Sequence, residues 1–178
     1  VQQKARRNDL AKLPDAAERD RLYQSYLQKL VLNDVDQADL INRGLSKLEI
    51  KHLGAKSIKS GYILPIKNPQ GKILGFQSRL RDVDSGRYRW HKPFGISAQQ
   101  QNGELPLAFH GNIQVDCRRV VLVEGTGVKP YLASKLRGCA AIGASGGQFV
   151  ASKETLQSYF DALGAKPELT RLEYAIDA

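Results

Sequence analysis

The chain has few of the residues that build metal or disulfide frameworks. Its 178 residues include only two cysteines, Cys117 and Cys139, which form no CxxC pair, and three scattered histidines. This pattern argues against a zinc module or a disulfide-stapled fold, and it indicates a reducing, cytoplasmic location.

Long apolar runs are also missing. No stretch approaches the roughly 18–20 apolar residues that span a bilayer, so we expect no membrane-spanning segment. No signal peptide is visible, and because the first residue is valine we interpret the chain as an excised piece of a longer protein. A hydrophobic content of 42% and a charged content of 25% are typical of a soluble globular protein.

Positive charge is in excess. The net charge is +9, of which residues 1–60 and residues 61–118 carry +4 each and residues 119–178 carry +1. Such a balance predicts a polyanionic partner, although a basic surface without a partner is an equally good interpretation of charge alone.

Residues 1–60 show the pattern of three helices. Apolar residues recur at helical spacing from Asp15 to Val31, and Asp36 is a candidate cap for a second helix that ends at Gly44. The capping box Ser46-Lys47-Leu48-Glu49 opens a third helix. Three short helices predict a packing unit, with a DNA-reading helix-turn-helix as the alternative.

Residues 61–118 change to the period of β-strands. Strands at 62–66 and 73–77 flank the turn Asn68-Pro69-Gln70-Gly71, and residues 95–118 are expected to be irregular. If the strand after Phe76 pairs with the segment after Gly86, its arginines form one phosphate-binding ridge, with a solvated sheet face as the alternative. The ridge would contain Arg79, Arg81, Arg87, Arg89 and Lys92, with Tyr88 and Trp90 opposite Arg87 and Arg89.

Residues 119–178 alternate between strands and helices. The expected strands are 119–123, 139–142 and 171–176, and the expected helices are about 128–137 and 152–163. The first helix would bury Val128, Leu132 and Leu136. This order predicts a parallel, right-handed βαβαβ sheet.

Two strands of this sheet end on acids. The run Val120-Val121-Leu122-Val123 ends on Glu124-Gly125, and the last strand ends on Asp177. Because ligands bind at the carboxyl edge of such sheets, the two acids are candidates for a Mg²⁺ site. Gly125 and Gly127 let backbone amides face a ligand, as does Gly146 in the next turn, and Lys129 follows in the helix. The loop is neither a Walker A loop nor a GxGxxG motif.

The stretch Val121-Leu122-Val123-Glu124-Gly125, a helix, Cys139-Ala140-Ala141-Ile142-Gly143 and a last strand ending in Asp177 resembles a Toprim domain. The preceding residues 63–79 resemble the basic subdomain of bacterial replicative primases and phage primase–helicases. The sequence from Glu124 to Pro130 is similar to that of plasmid replication proteins of the cyanobacterial type. The implied fold is α+β or α/β, with N-terminal helices at 1–60, a basic β-rich primase-like subdomain at 61–118 and a C-terminally truncated Toprim-like sheet at 119–178.

The resemblance implies a DNA primase, a nucleotidyltransferase that makes primers on single-stranded DNA from nucleoside triphosphates. Glu124 would ligate metal or act as general acid/base, Asp177 would hold Mg²⁺ or Mn²⁺, and Arg79 with Arg87-Tyr88 would bind template or nucleotide. A helicase would follow on the same polypeptide.

The chain departs from the Toprim pattern in two ways. Val128 and Lys129 stand where primases carry an acid, and the Asp-x-Asp pattern is cut at Ala178, so we expect this fragment to bind nucleic acid but to be inactive alone. The alternatives are a non-catalytic nucleic-acid-binding module with a degenerate Toprim fold, and a Toprim nuclease or topoisomerase, for which no tyrosine has an identifying motif.

Overall fold

The computed structural model of the chain describes residues 9–81, 88–113, 117–166 and 170–175. Within these ranges the chain forms helices and two four-stranded sheets, one antiparallel and one mixed, so the fold is a mixture of α and β structure. None of the helices in these ranges combines the length and the apolar character that crossing a bilayer requires.

The N-terminal segment forms three helices whose first turns are capped by side chains. They are α1 (Ala16–Gln28), α2 (Asp34–Asn42) and α3 (Lys47–Leu53). Asp15 caps α1, and the capping box of Ser46 and Glu49 opens α3, which confirms the third helix. The cap of α2 was predicted wrongly: the side chain of Asn33 accepts the amide N–H of Asp36. Asp36 lies inside the first turn, where its buried carboxylate is available to another partner.

The antiparallel sheet, here called the basic sheet, is covered by helices on both faces. Its strands are β1 (Lys56–Ile58), β2 (Gly61–Lys67), β3 (Ile73–Leu80) and β4 (Tyr88–His91), in that spatial order. Successive residues of a strand point to opposite faces. Accordingly Ile63 packs with Tyr23 of α1, whereas its neighbour Tyr62 packs with Leu40 of α2.

The mixed sheet, here called the Glu124 sheet, contains the predicted parallel strands. Its strands are β5 (Ala108–His110), β6 (Arg119–Glu124), β7 (Ala140–Ala144) and β8 (Arg171–Ala175), in the order β5-β7-β6-β8. β6 is parallel to both β7 and β8, and the antiparallel β5 extends the sheet beyond β7. Residues 108–110 were expected to be irregular, but they form β5. A strand of three residues is too short to show an alternating pattern in the sequence.

Two helices cover the Glu124 sheet on opposite faces. They are α4 (Val128–Arg137), which follows β6, and α5 (Lys153–Ala162), which follows β7. Val121 and Val123 of β6 pack with Ala133 of α4, whereas Val120 and Leu122 cluster with Tyr159 of α5. The prediction for Leu136 was wrong: this side chain is 80% exposed.

Apolar packing and polar contacts connect the helical segment with both sheets. Leu40 of α2, Leu64 of β2 and Val128 of α4 belong to one buried cluster. Beside it, Glu49 of α3 accepts hydrogen bonds from Tyr131 (3.0 Å) and Lys135 (2.6 Å) of α4. Hydrogen bonds from Lys135 and Ser46 lower the pKa of Glu49 to about 2. The domain boundaries at residues 60 and 118 stay a prediction.

Candidate functional site

The strand order of the Glu124 sheet creates a crevice between β6 and β7. The chain leaves β6 through α4 on one face and leaves β7 through α5 on the other, because β7 and β8 lie on opposite sides of β6. In open α/β sheets, ligands bind at the carboxyl ends of strands where the connections diverge in this way. The carboxyl end of β6 is therefore the switch point of the sheet.

Glu124 is the last residue of β6 and stands at this switch point. It lies in register with Ala144, the last residue of β7, and its side chain is exposed. The amide of Gly125 donates to the carbonyl of Ala144 (2.6 Å), which fixes the turn that follows the strand. Gly125 has a φ of +97°, a conformation that favours glycine. The Glu-Gly pair thus delivers the carboxylate to the edge of the sheet.

A small cavity adjoins Glu124 and joins the two sheets. It has a volume of about 140 Å³, and we call it the switch-point cavity. The Glu124 sheet and its turns contribute Glu124, Gly125, Gly127, Lys129, Ser145 and Gly146 to its lining. The opposite wall comes from Arg43, at the end of α2, and from Gln77 and Tyr88 of the basic sheet. The predicted site residues Glu124, Gly125, Tyr88, Lys129 and Gly146 are thereby brought together.

Two arginines lie close to Tyr88 on this wall. The guanidinium of Arg79 donates to the Tyr88 hydroxyl (2.9 Å), with its Cζ 5.4 Å from the ring centroid. The Cζ of Arg43 lies 6.0 Å from the same centroid. Burial lowers the pKa of Arg79, but Tyr88 and Asp39 outweigh this and raise it above its ordinary value. Arg79 therefore keeps its positive charge beside the cavity.

Arg43 was missed by the sequence analysis. It is one of 12 basic residues in the first 60 positions, and nothing in its neighbourhood marks it as different. Only the packing of α2 on the basic sheet brings its guanidinium to Tyr88 and the cavity.

Two buried polar atoms at this site lack a hydrogen-bond partner within the described part of the chain. They are Nε of Arg43 and Oγ1 of Thr126, the residue between the cavity-lining Gly125 and Gly127. Buried polar atoms are nearly always paired, so these two atoms are positions where a water, an ion or a ligand can form a hydrogen bond. Within the described ranges these are the only two such side-chain atoms, and both lie at the switch point.

The predicted ridge of arginines is divided by the register of the basic sheet. Arg79 is opposite Tyr88 and shares its face, whereas Arg89 is opposite Ser78 on the other face. The prediction that Arg79 and Arg89 lie on one face was therefore wrong, because it assumed a register one residue away from the real one. Arg87 lies outside the described residues. Lys92 is exposed just after β4.

Arg79, in β3, and Arg81, just after this strand, form ion pairs with acids of α2. Nε of Arg79 donates to Asp39 (3.1 Å). Arg81 makes a bidentate contact with Asp36, with distances of 2.9 and 2.6 Å to the two carboxylate oxygens. Both guanidinium groups therefore have a structural role, and the partner of Arg81 is Asp36 in the first turn of α2.

The described residues offer a metal ion only part of a site. Glu124 is the one carboxylate that lines the switch-point cavity, and residues 9–81, 88–113, 117–166 and 170–175 contain no group of three potential metal ligands. The second predicted ligand, Asp177, lies outside these ranges. The described part of β8 runs parallel to β6, with Ala175 in register with Val123.

Comparison with known proteins adds no family to this picture, since no family model and no curated protein matches the chain.

Proposed function

We propose that the chain is the catalytic core of a primase-like replication protein, which binds single-stranded DNA and nucleoside triphosphates. Its reaction is nucleotidyl transfer, in which a 3′-hydroxyl attacks the α-phosphorus of a nucleotide and pyrophosphate leaves. The observation that carries the proposal is the arrangement at the switch point. There Glu124 shares one small cavity with Tyr88 and Arg43, and Arg79 donates a hydrogen bond to the Tyr88 hydroxyl.

The cavity suits a phosphate group held next to a carboxylate. Arg43 and Lys129 provide positive charge on two sides of it. The glycines Gly125 and Gly127 precede α4, so the first amides of this helix are available to an anion. The unpaired Nε of Arg43 and Oγ1 of Thr126 would gain partners when a phosphate and its water shell bind.

Mg²⁺ fits this site only as an ion shared with the substrate. Glu124 supplies one ligand, and Mg²⁺ commonly takes one or two carboxylates, several waters and substrate phosphates instead of a closed protein cage. When bound, Mg²⁺ or Mn²⁺ would neutralise the phosphates and favour ionisation of the 3′-hydroxyl. Glu124 itself would orient the ion or accept the hydroxyl proton. Asp177 remains the candidate for a second ligand.

Primer synthesis tests the catalytic part of the proposal. A polypeptide that contains these residues is incubated with single-stranded DNA, Mg²⁺ and labelled nucleotides, and it is compared with its Glu124→Gln variant. Because the variant keeps the shape of the side chain but loses its charge and basicity, we expect product formation to fall about 10²- to 10⁴-fold. Glu18→Gln, which changes an exposed acid of α1, should leave synthesis unchanged. Equal synthesis by the Glu124→Gln variant would refute a catalytic role for Glu124.

DNA binding tests the other wall of the cavity. Arg43→Gln should weaken binding of an oligonucleotide and reduce the slope of log K against log salt by about 0.7, the loss of one phosphate contact on a single strand. Arg21→Gln removes the same charge from an exposed position on α1 and should change the slope much less. Identical slopes for the two variants would show that Arg43 acts only through net charge.

A non-catalytic nucleic-acid-binding module is the second candidate. It is favoured by the single carboxylate at the cavity and by the use of Arg79 and Arg81 in ion pairs. If the protein is such a module, the Glu124→Gln variant should bind DNA as tightly as the wild type. Neither the wild type nor the variant would then make primers.

A further inference from the structure

A second, larger cavity lies beside the switch-point cavity. Its volume is about 480 Å³, within the range of small-molecule sites, and we call it the Trp90 groove. Ser145 and Gly146, in the turn after β7, line both cavities. The two cavities are therefore neighbours, Glu124 lining the smaller one and Trp90 the larger one, and we call them together the cleft.

The basic sheet sets the order of side chains along this cleft. Tyr88 and Trp90 are two residues apart in β4, so they share a face, and Gln77 is opposite Trp90 on that same face. Tyr88 and Gln77 line the switch-point cavity, whereas Trp90 lines the groove. A ligand that extends from Glu124 along β4 therefore meets Tyr88 first and Trp90 next.

Gly75 makes room for the indole ring. A Cβ atom at Gly75 would lie 3.2 Å from Cζ3 of Trp90 and 3.3 Å from Cγ of Pro106, closer than side chains normally approach. Trp90 is nevertheless only partly buried. Among the described side chains, none makes a hydrogen bond or an aromatic contact with the indole. One edge of the ring thus lies close to Gly75, and Trp90 is part of the groove lining.

The other residues that line the Trp90 groove suit a flat, partly polar ligand group. Leu105 and Pro106 provide apolar surface, and Gln148 at the groove is exposed, with an amide that can both donate and accept. The amide of Gln99 is already used, since its Nε2 donates to the carbonyl of Gly103. No acid lines the groove among the described residues, so a ligand attached to a phosphate would meet no opposing charge there.

We propose that the Trp90 groove holds a nucleobase by stacking on Trp90, while the phosphate attached to that nucleotide lies in the switch-point cavity. The proposal rests on the proposed function, because it needs a nucleotide or a DNA strand at Glu124. A free nucleotide and a residue of a single strand present the same chemistry to this cleft.

Trp90 is the only tryptophan of the chain, so its fluorescence reports on the groove directly. The chain is titrated with four probes: a labelled oligo(dT), the same labelled oligomer without bases, ATP with Mg²⁺, and tripolyphosphate with Mg²⁺. Label anisotropy reports binding of the strands, and calorimetry reports binding of the other two. We expect quenching of Trp90 by oligo(dT) or by ATP, and no quenching by the two probes that lack a base. Quenching by only one of the base-containing probes identifies the source as strand or free nucleotide.

Two substitutions separate stacking from packing. Trp90→Phe keeps an aromatic ring and should retain most of the affinity for the probe that quenches. Trp90→Leu keeps an apolar side chain beside Gly75 but cannot stack, and we expect affinity to fall about 5- to 150-fold. Thermal unfolding of both variants verifies that each is folded.

Two results would overturn the proposal, and they differ in what they mean for the function. If oligo(dT) or ATP binds without quenching Trp90 and Trp90→Leu binds as tightly as wild type, the groove is not the base site and the proposed function stands. If neither oligo(dT) nor ATP binds to the wild-type chain, the proposed function fails together with the groove.

Discussion

The basic sheet and the Glu124 sheet use their charged residues in opposite ways. Residues 61–118 carry twice as many basic as acidic side chains, yet Arg79 and Arg81 of this segment are held by Asp39 and Asp36 of α2. Residues 119–178 are almost neutral, yet they present Glu124 at the open edge of their sheet, where it makes no ion pair with another described residue. The charge of a segment therefore does not tell which of its side chains are available to a ligand.

The position of the remaining ion pairs strengthens this contrast. In the Glu124 sheet, Arg119 makes a bidentate contact with Glu173 (2.8 Å to each oxygen). Arg119 is the first residue of β6, at the end opposite Glu124, and Glu173 lies in the middle of β8, in register with Val121. Hydrogen bonds from Arg119 lower the pKa of Glu173. Within this sheet the charges of Arg119 and Glu173 neutralise each other, whereas Glu124 at the carboxyl end of β6 has no described ion-pair partner.

The largest effect is expected where the Glu124 turn packs on β7. A Cβ at Gly143 would lie 2.2 Å from the carbonyl oxygen of Gly125 and 2.3 Å from Cγ of Pro130, so Gly143→Ala must displace backbone. We expect the free energy of unfolding to fall by about 3 kcal/mol, measured by denaturant titration. Gly138→Ala is the control, since its Cβ meets open space and only its left-handed backbone costs about 1 kcal/mol. Equal losses in the two variants would show that the close approach is not important.

The next largest effect concerns the basic sheet. Asp36 is buried and accepts both hydrogen bonds from Arg81, so Asp36→Asn leaves the guanidinium with a neutral partner. We expect a loss of about 2 kcal/mol in the free energy of unfolding, less than for a fully buried pair because Arg81 is partly exposed. Asp34→Asn removes an exposed charge from the same helix turn and should cost much less. A similar cost for both would mean that the helix dipole, not Arg81, is the partner of Asp36.

A smaller, pH-dependent effect is expected where α3 and α4 meet. The pKa of Glu49 is lowered from 4.5 to about 2, so its contribution to stability is present above pH 4.5 and is lost as the pH falls towards 2. Glu49→Gln should therefore lower Tm by a few degrees at neutral pH and by progressively less below pH 4.5. A difference in Tm that stays constant down to pH 2 would exclude Lys135 as the cause.

The smallest effect is expected at Leu136. Its side chain is 80% exposed on α4, so Leu136→Gln should change the free energy of unfolding by less than about 0.5 kcal/mol. Leu132, one turn earlier, packs against the cluster around Leu40, and the same substitution there should cost several times more. A large fall in the free energy of unfolding for Leu136→Gln would instead support the sequence-based prediction that Leu136 packs with Val128 and Leu132.

Local patterns in the sequence were sufficient wherever neighbouring residues decide the structure. The capping box of α3, the strands on both sides of Asn68, and the strand–helix alternation after residue 118 are all present as expected. A cap joins atoms three residues apart, and a buried strand needs only an apolar run, so both are visible in a short window. The N-terminus of α5 shows the opposite case, because Ser152, the cap that the sequence pattern favours, makes no capping hydrogen bond. The carboxylate of Glu104 accepts from the amides of Glu154 and Thr155, 50 residues away.

The sequence by itself determined most of the helices and longer strands of this protein, the parallel order of its second half, and the placement of Glu124 at the end of a central strand. Only the tertiary structure decided which residues meet there. The register of β3 with β4 separated Arg89 from Arg79, and the packing of α2 both occupied Arg81 and brought Arg43 to the cavity. A one-residue shift of register moves a side chain to the other face, and the partners of an arginine are fixed by distance in space. Neither can be read from the order of residues alone.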